Sequence, residues 1–227
     1  MTANNAARQR FDPACIPTQP DLSFEQSLWQ AGFQAIAGID EAGRGALAGP
    51  VAAAAVILPC VEGLPQKLAG VRDSKQMTAR QRSIWADRIR CTVLAQAVGF
   101  ASAQEIDQIG IAPATRLAAQ RALDLLARQP VYLLLDCLFL PDNTLPQTAL
   151  IKGDQRSLSI AAASVLAKTA RDALLTEISI QYPGYDLEVH KGYGTLRHRR
   201  AIQSLGPTPF HRLTFTLTGG LTDSGGN

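Results

Sequence analysis

The stretch FQAIAGIDEAGRGALAGPVAAAAVIL, residues 33–58, holds two short apolar runs separated by a glycine-rich segment. FQAIAGID reads as a short buried strand, GRGALAG as its turn, and PVAAAAVIL as a second strand returning beside the first. The pair predicts a hairpin with a Gly-rich loop. It also places two adjacent carboxylates, Asp40 and Glu41, at the end of an apolar strand.

Further along, MTARQRSIWADRIR begins with Thr78 three residues before Gln81, a capping-box start, and spaces Ile84, Trp85 and Ile89 as a helix does. VLAQAVGFA follows as a strand. Ser102 and Glu105 repeat the capping pattern ahead of a short helix. PATRLAAQRALDLLARQ predicts a longer one with Leu117, Ala118, Leu123, Leu125 and Leu126 on its apolar side. VYLLLD is a short bounded apolar run, expected to be a covered strand. SLSIAAASVLAKTARDALLTEI has helical spacing and is apolar nearly all round, which predicts a buried helix. QYPGYDLEVHKGYGT reads as a turn-rich connection and AIQSLG as a last short helix ended at Gly206 and Pro207. A hairpin followed by strands alternating with helices implies an α/β fold, a mixed sheet covered by helices.

Upstream, residues 1–30 are polar and proline-bearing, so they are expected to form a tail. Within it, DLSFEQSLWQAG could lie on the domain as a short amphipathic helix. Residues 219–227 are expected to fray. A catalytic domain over 31–180 and a C-terminal extension over 181–218 complete the expected division.

The 227 residues, 46% of them hydrophobic, are enough for one sizeable core. With 22 Lys and Arg against 19 Asp and Glu the formal charge is only +3, a weak pull towards polyanions. The bias sits late, in Lys191, Arg197, His198, Arg199, Arg200, His211 and Arg212. The cysteines at 15, 60, 91 and 137 are too scattered for a zinc ribbon or disulfide framework. No run reaches the roughly 18 apolar residues of a membrane span, and MTANNAARQRFDPACIPTQP lacks the apolar core of a secretion signal. A cytoplasmic monomer with no membrane partner is the expectation.

FQAIAGID and VYLLLD both end in aspartate, and in open α/β sheets ligands bind beyond the carboxyl ends of the strands. If the two strands are parallel neighbours, Asp40 and Asp136 share one edge; each alone could equally be a turn or cap residue. Strand alternation would send Asp40 and Glu41 to opposite faces, so both reach one site only if the chain leaves β geometry there, as Gly43 and Gly45 permit. Asp172 lies one turn after Lys168 and two after Ser164 on one stripe of the buried helix. Carboxylates without histidine or cysteine ligands favour Mg²⁺ or Mn²⁺ over zinc. Two such ions about 4 Å apart suit in-line phosphoryl displacement, which makes nucleic-acid cleavage a candidate. Arg44, between Gly43 and Gly45, leaves backbone groups open to a sugar or phosphate.

GIDEAGRGALAGPVAAAAVIL, the DSK of residues 73–75, VYLLLD, KGDQRSLSIAAASVLAKTARD and YPGYDLEVHKGYGT together resemble the type 2 ribonuclease H family, specifically bacterial ribonuclease HII, in order over about residues 35–215. The resemblance implies a ribonuclease H-like fold, with a mixed five-stranded sheet flanked by helices and a helical C-terminal extension. It also implies an endonuclease that hydrolyses the RNA strand of RNA–DNA hybrids and nicks DNA duplexes at embedded ribonucleotides. Two Mg²⁺ or Mn²⁺ ions would act in the catalytic complex and leave 5′-phosphate and 3′-hydroxyl ends.

Carried over by residue, the family's metal-binding acids fall on Asp40, Glu41, Asp136 and Asp172. Its turn that reads the 2′-hydroxyl falls on Gly43, Arg44 and Gly45, and its junction-stacking tyrosine on Tyr193. Lys75, Ser164 and Lys168 are expected phosphate contacts, and PFHRLTF, residues 209–215, would extend the phosphate-binding surface. Two departures stand out: Ala46 where many members have proline, and CLFLPDNTLP after Asp136 where a short Gly-Asn turn is frequent. The rival readings are a non-catalytic nucleic-acid-binding module and a metal-dependent nucleotide phosphotransferase. Nicking of a ribonucleotide-containing oligonucleotide separates all three.

Overall fold

A computed structural model describes residues 12, 13 and 16–218. The segment expected to fray, 219–227, and residues 1–11 lie outside the described residues. Five strands form one mixed sheet in the order β3-β2-β1-β4-β5. They are β1 (Ile36–Ala42), β2 (Val51–Ile57), β3 (Ala95–Ala101), β4 (Tyr132–Asp136) and β5 (Gln147–Leu150). β1, β2 and β3 run antiparallel as a meander, while β4 and β5 run parallel to β1.

Every residue of β2 is buried, because the sheet is covered on both faces. Alternate residues serve opposite layers. Val51, Ala53, Ala55 and Ile57 pack with Ala114, Ala118 and Ala122 of α5 (Ile111–Asp124). Ala54 and Val56 pack with Ala162, Val165 and Leu166 of α6 (Leu158–Gln181). The alanines let helix backbones come close. At Gly38 of β1 a Cβ would stand 2.3 Å from the Ser159 carbonyl carbon, so α6 rests directly on the strand that carries Asp40.

Both capping boxes form, at Thr78 and Gln81 for α3 (Ala79–Thr92) and at Ser102 and Glu105 for α4 (Ala103–Ile109). α5 stops at Asp124, so Leu125 is not on its apolar side: it lies beyond the last turn, 66% exposed. The last helix, α8 (Leu196–Leu205), is a turn longer than AIQSLG because Thr195 caps it by accepting from the His198 N–H. The turn-rich connection before it contains α7 (Leu187–His190), and a single turn, α2 (Leu64–Lys67), precedes α3. No helix among the described residues is long and apolar enough to cross a membrane.

The DLSFEQSLWQAG segment is helical as α1 (Ser23–Gln30) and lies on the domain through Leu22, Phe24, Leu28 and Trp29. Its Glu25 is buried at the start of α6. There Oε1 accepts from the Ser157 hydroxyl (2.6 Å), the Ser159 hydroxyl (2.6 Å) and the Ser159 N–H (2.9 Å). Glu25→Ala strands those donors in the interior and should lower stability by about 2 kcal/mol. A urea midpoint equal to that of the parent protein would show that the Glu25 hydrogen bonds contribute nothing to the fold.

Candidate active site

The parallel pairing of β1 with β4 sets Ile39 opposite Leu135, so Asp40 and Asp136 follow as neighbours at the carboxyl edge. The chain does not leave β geometry at the two acids: the ladder to β2 continues through Asp40↔Ala54, Glu41↔Ala53 and Ala42↔Ala52. The registered pairs with β4 end at Ile39↔Leu135; past that point Asp40 and Asp136 stand in one cluster with Asp154, while Glu41 lies outside that triad, near enough to Asp136 to feel its charge.

Asp40 is 3% exposed; its Oδ1 accepts from the Glu41 N–H at 2.8 Å. Asp136 accepts from the Gly153 N–H at 2.7 Å. One oxygen each from Asp40, Asp136 and Asp154 lie within 4.8 Å of one another. Asp154 was not among the acids singled out from the sequence. It sits in the KGD turn before α6, inside a block that carried the family resemblance, but a turn aspartate has no periodic signal to set it apart. Glu41 meets Arg44 Nη1 at 3.2 Å.

Asp172 stands differently. Its Oδ1 takes Lys168 Nζ at 2.7 Å and its Oδ2 takes Arg82 Nη2 at 3.1 Å, so both carboxylate oxygens already hold cations. A groove of about 610 Å³ beside it is lined by Arg82, Lys168, Thr169, Asp172, Lys191 and Tyr193. Tyr193 is 37% exposed, with Lys168 Nζ 5.4 Å and the Arg171 guanidinium 5.6 Å from its ring centroid. Lys75 stands exposed over the acidic cluster, 3.6 Å from Asp154 Oδ2. Ser164 is buried, and its hydroxyl donates to Ser74 Oγ at 2.9 Å, pinning the DSK turn to α6.

The late basic residues do not form one surface. His198, His211 and Arg212 are buried, so although Pro209, Leu213 and Thr214 of PFHRLTF are exposed, its two basic residues do not extend an exposed cationic face. His198 Nδ1 faces the Tyr193 carbonyl at 3.0 Å and must donate to it. Its Nε2 then accepts from His211 Nε2 (3.1 Å), whose Nδ1 accepts from the Thr208 N–H (2.9 Å). Burial pushes His198 down to about 4, so this relay is neutral and holds the Tyr193 loop by hydrogen bonds alone. In the segment after Asp136, Cys137 takes φ 49°, the left-handed conformation that a glycine there would adopt without strain.

Electrostatics single out the acidic edge. Burial raises Asp40 well above the usual carboxylate range, and Glu41 and Asp136 add to it. Burial likewise raises Glu41 against the pull of Arg44, and raises Asp136. Asp154 is pushed up to about 7 by burial and by the charges of Asp136 and Asp73. Burial would lower Lys75, but Asp154 and Asp40 outweigh it and raise it. Asp40 Oδ2 and Glu41 Oε2 are buried with no hydrogen-bond partner among the described residues. Two orphaned carboxylate oxygens on β1, with the Asp136 and Asp154 carboxylates beside Asp40, fit a hard divalent cation, which would satisfy them and relieve the repulsion among the acids.

That arrangement has a pH signature. An unfolded Asp titrates near 3.9 and folded Asp154 near 7, so its contribution to stability is full below about 4 and is lost as pH rises through 7. A cation held there would displace that proton, and competition from protons would fade over the same window. The rise in thermal midpoint produced by Mn²⁺ should therefore be larger at pH 8 than at pH 6. Equal rises would remove Asp154 from the ion's surroundings.

Residues 37–218 match the family described as Ribonuclease HII. The ribonuclease HII of Synechococcus sp. (strain JA-3-3Ab) is 55% identical over 197 residues, 87% of this chain and 88% of the relative. Among solved structures, the ribonuclease H2 from Pyrococcus horikoshii OT3 superposes with TM-score 0.67 at 23% identity, covering 81% of this chain and 95% of that one, and so shares the fold. The ribonuclease HII of Archaeoglobus fulgidus, solved in a complex with PCNA, gives TM-score 0.65 at 26% identity over 80% of this chain and 95% of that one.

Proposed function

The chain belongs to the ribonuclease HII family and is a ribonuclease H enzyme, and we propose that it hydrolyses the RNA strand of RNA–DNA hybrids and nicks duplex DNA at embedded ribonucleotides. The observation that carries this reading is the set of buried, unpartnered carboxylate oxygens at the carboxyl edge of β1, beside an open glycine turn. Asp40, Glu41, Asp136 and Asp154 are the residues that would hold two Mg²⁺ or Mn²⁺ ions. When bound, such ions supply Lewis acidity to the scissile phosphate and lower the pKa of water, in a displacement that leaves 5′-phosphate and 3′-hydroxyl ends.

The remaining roles belong to the chain. The turn of Gly43, Arg44 and Gly45 faces the ribose whose 2′-hydroxyl separates RNA from DNA. Tyr193, in the substrate-contacting 181–218 extension, stacks on the sugar that follows, its ring oriented by Lys168 and Arg171. Lys75 holds a phosphate over the acidic cluster. Ser164 acts through the DSK turn rather than by touching substrate, because its hydroxyl is engaged with Ser74. Asp172 fixes Arg82 and Lys168 in the groove instead of taking the fourth place in the cluster, because its oxygens are already paired.

The test is nicking of a DNA duplex that contains one ribonucleotide, followed with Mg²⁺ or Mn²⁺ and after EDTA. Cleavage should require the ion. Asp154→Asn should lose roughly 100-fold in kcat with a raised ion requirement. Asp172→Asn should mainly raise KM, since it frees two cations in the groove. A reversed pattern would return Asp172 to the ion set, and absence of nicking by the parent protein would refute the function.

A further inference from the structure

Two arginines lie fully buried beneath the glycine turn without an acid between them. Arg171 of α6 makes three hydrogen bonds, from Nε to the Pro50 carbonyl (2.8 Å), Nη1 to Lys191 (2.9 Å) and Nη2 to Ala48 (2.9 Å). Arg212 makes four, from Nη2 to the Gly43 carbonyl (2.7 Å), Nη1 to Arg44 (2.7 Å), and Nε and Nη2 to Gly49 (3.1 and 2.9 Å). All acceptors are main-chain oxygens, and neither guanidinium forms an ion pair among the described residues. Burial and the nearby Arg171 push Arg212 down to about 9. Burying a cation on carbonyls alone is expensive, and an apolar side chain of similar size would fill the same space at less cost.

What the charge changes is the turn itself. In a trans peptide the oxygen and the following N–H point in opposite directions. With the Gly43 and Arg44 oxygens drawn inward onto Arg212, the N–H groups of Arg44 and Gly45 are directed away from it. No described residue accepts from either N–H. A cation on the carbonyl polarises the whole peptide unit, and in a low-dielectric setting that strengthens the N–H as a donor.

We propose that Arg212 is a positioning residue for substrate recognition, fixing and polarising the Gly43 and Arg44 peptides so that the Arg44 and Gly45 N–H groups become strengthened donors to the 2′-oxygen of a ribonucleotide. This rests on the reading of the turn as the ribose reader. It extends the discriminating machinery to a side chain that never touches nucleic acid.

Binding is measured in EDTA, where no cut is made, to a duplex with one ribonucleotide and to the same duplex in all-DNA form. Arg212→Gln keeps two donors and removes the charge. It should lose about tenfold in preference for the ribonucleotide duplex while binding the all-DNA duplex as the parent does. Arg212→Lys, which restores a charge, should recover part of that preference. A parent-like preference in Arg212→Gln, an equal loss on both duplexes, or no recovery in a folded Arg212→Lys overturns the proposal.

Should Arg212→Gln fail to fold, the parent protein decides. The Arg44 and Gly45 amide protons should shift downfield with the ribonucleotide duplex and not with all-DNA, and unmoved resonances overturn the proposal. A parent protein without any ribonucleotide preference would instead overturn the reading of the turn, before any variant is compared.

Discussion

Asp40→Asn and Asp136→Asn should each reduce nicking of a ribonucleotide-containing duplex by roughly 10³-fold or more, while leaving the thermal midpoint in EDTA unchanged or higher. The two aspartates stand side by side because β1 and β4 run parallel with Ile39 opposite Leu135. Each is raised by burial, and Asp136 raises Asp40 further, so the ion-free site is strained by its own charge. An amide removes one negative charge, which relieves that repulsion and weakens the hold on a divalent cation. Opposite movements of activity and stability distinguish a functional acid from a structural one. Parent-like nicking in either variant would sink the assignment, and loss of activity with a fallen midpoint would reassign that aspartate to the fold.

Gly43→Ala should destabilise the protein by about 3 kcal/mol or more and cut activity at least 100-fold. Gly43 holds φ 92°, where a side chain is strained, and an added Cβ would lie 1.9 Å from Arg171 Nε. Arg171 cannot step aside cheaply, since its departure strands the carbonyls of Ala48, Pro50 and Lys191 in the interior. Gly45→Ala is the control within the same turn. A Cβ there meets nothing within 4 Å, so stability should hold and any loss should fall on substrate approach. Urea denaturation and the nicking assay on both variants check this. Equal stability of the two alanine variants would contradict the packing of Arg171 against the turn.

Much of the fold was legible because its signals are local. The short apolar runs around Ile39 and Val56, the capping pairs at Thr78 and Ser102, and the apolar α6 each declare themselves within a dozen residues. β5 did not, since Gln147–Leu150 mixes polar and apolar residues at the edge of the sheet and forms through pairing with β4. Leu125 misled for the opposite reason: its apolar character is real, but the helix ends one residue earlier. Basic residues were the poorest guide, because a count of charge does not say which guanidinium lies on the surface and which, like Arg212, lies wholly inside.

At the site the division is sharper. The sequence by itself determined the α/β class, the hairpin that presents Asp40 and Glu41, the glycine turn and the family, since each rests on short-range patterning or on motif order. Only the tertiary structure decided that Asp154 stands with Asp40 and Asp136 while Asp172 is held by Arg82 and Lys168. Only it placed Arg171 and Arg212 beneath the glycine turn. The physical reason is that a charge's role depends on which opposite charge or unpaired oxygen lies within a few ångströms, and those partners come from segments up to 169 residues apart, as for Arg212 and Gly43.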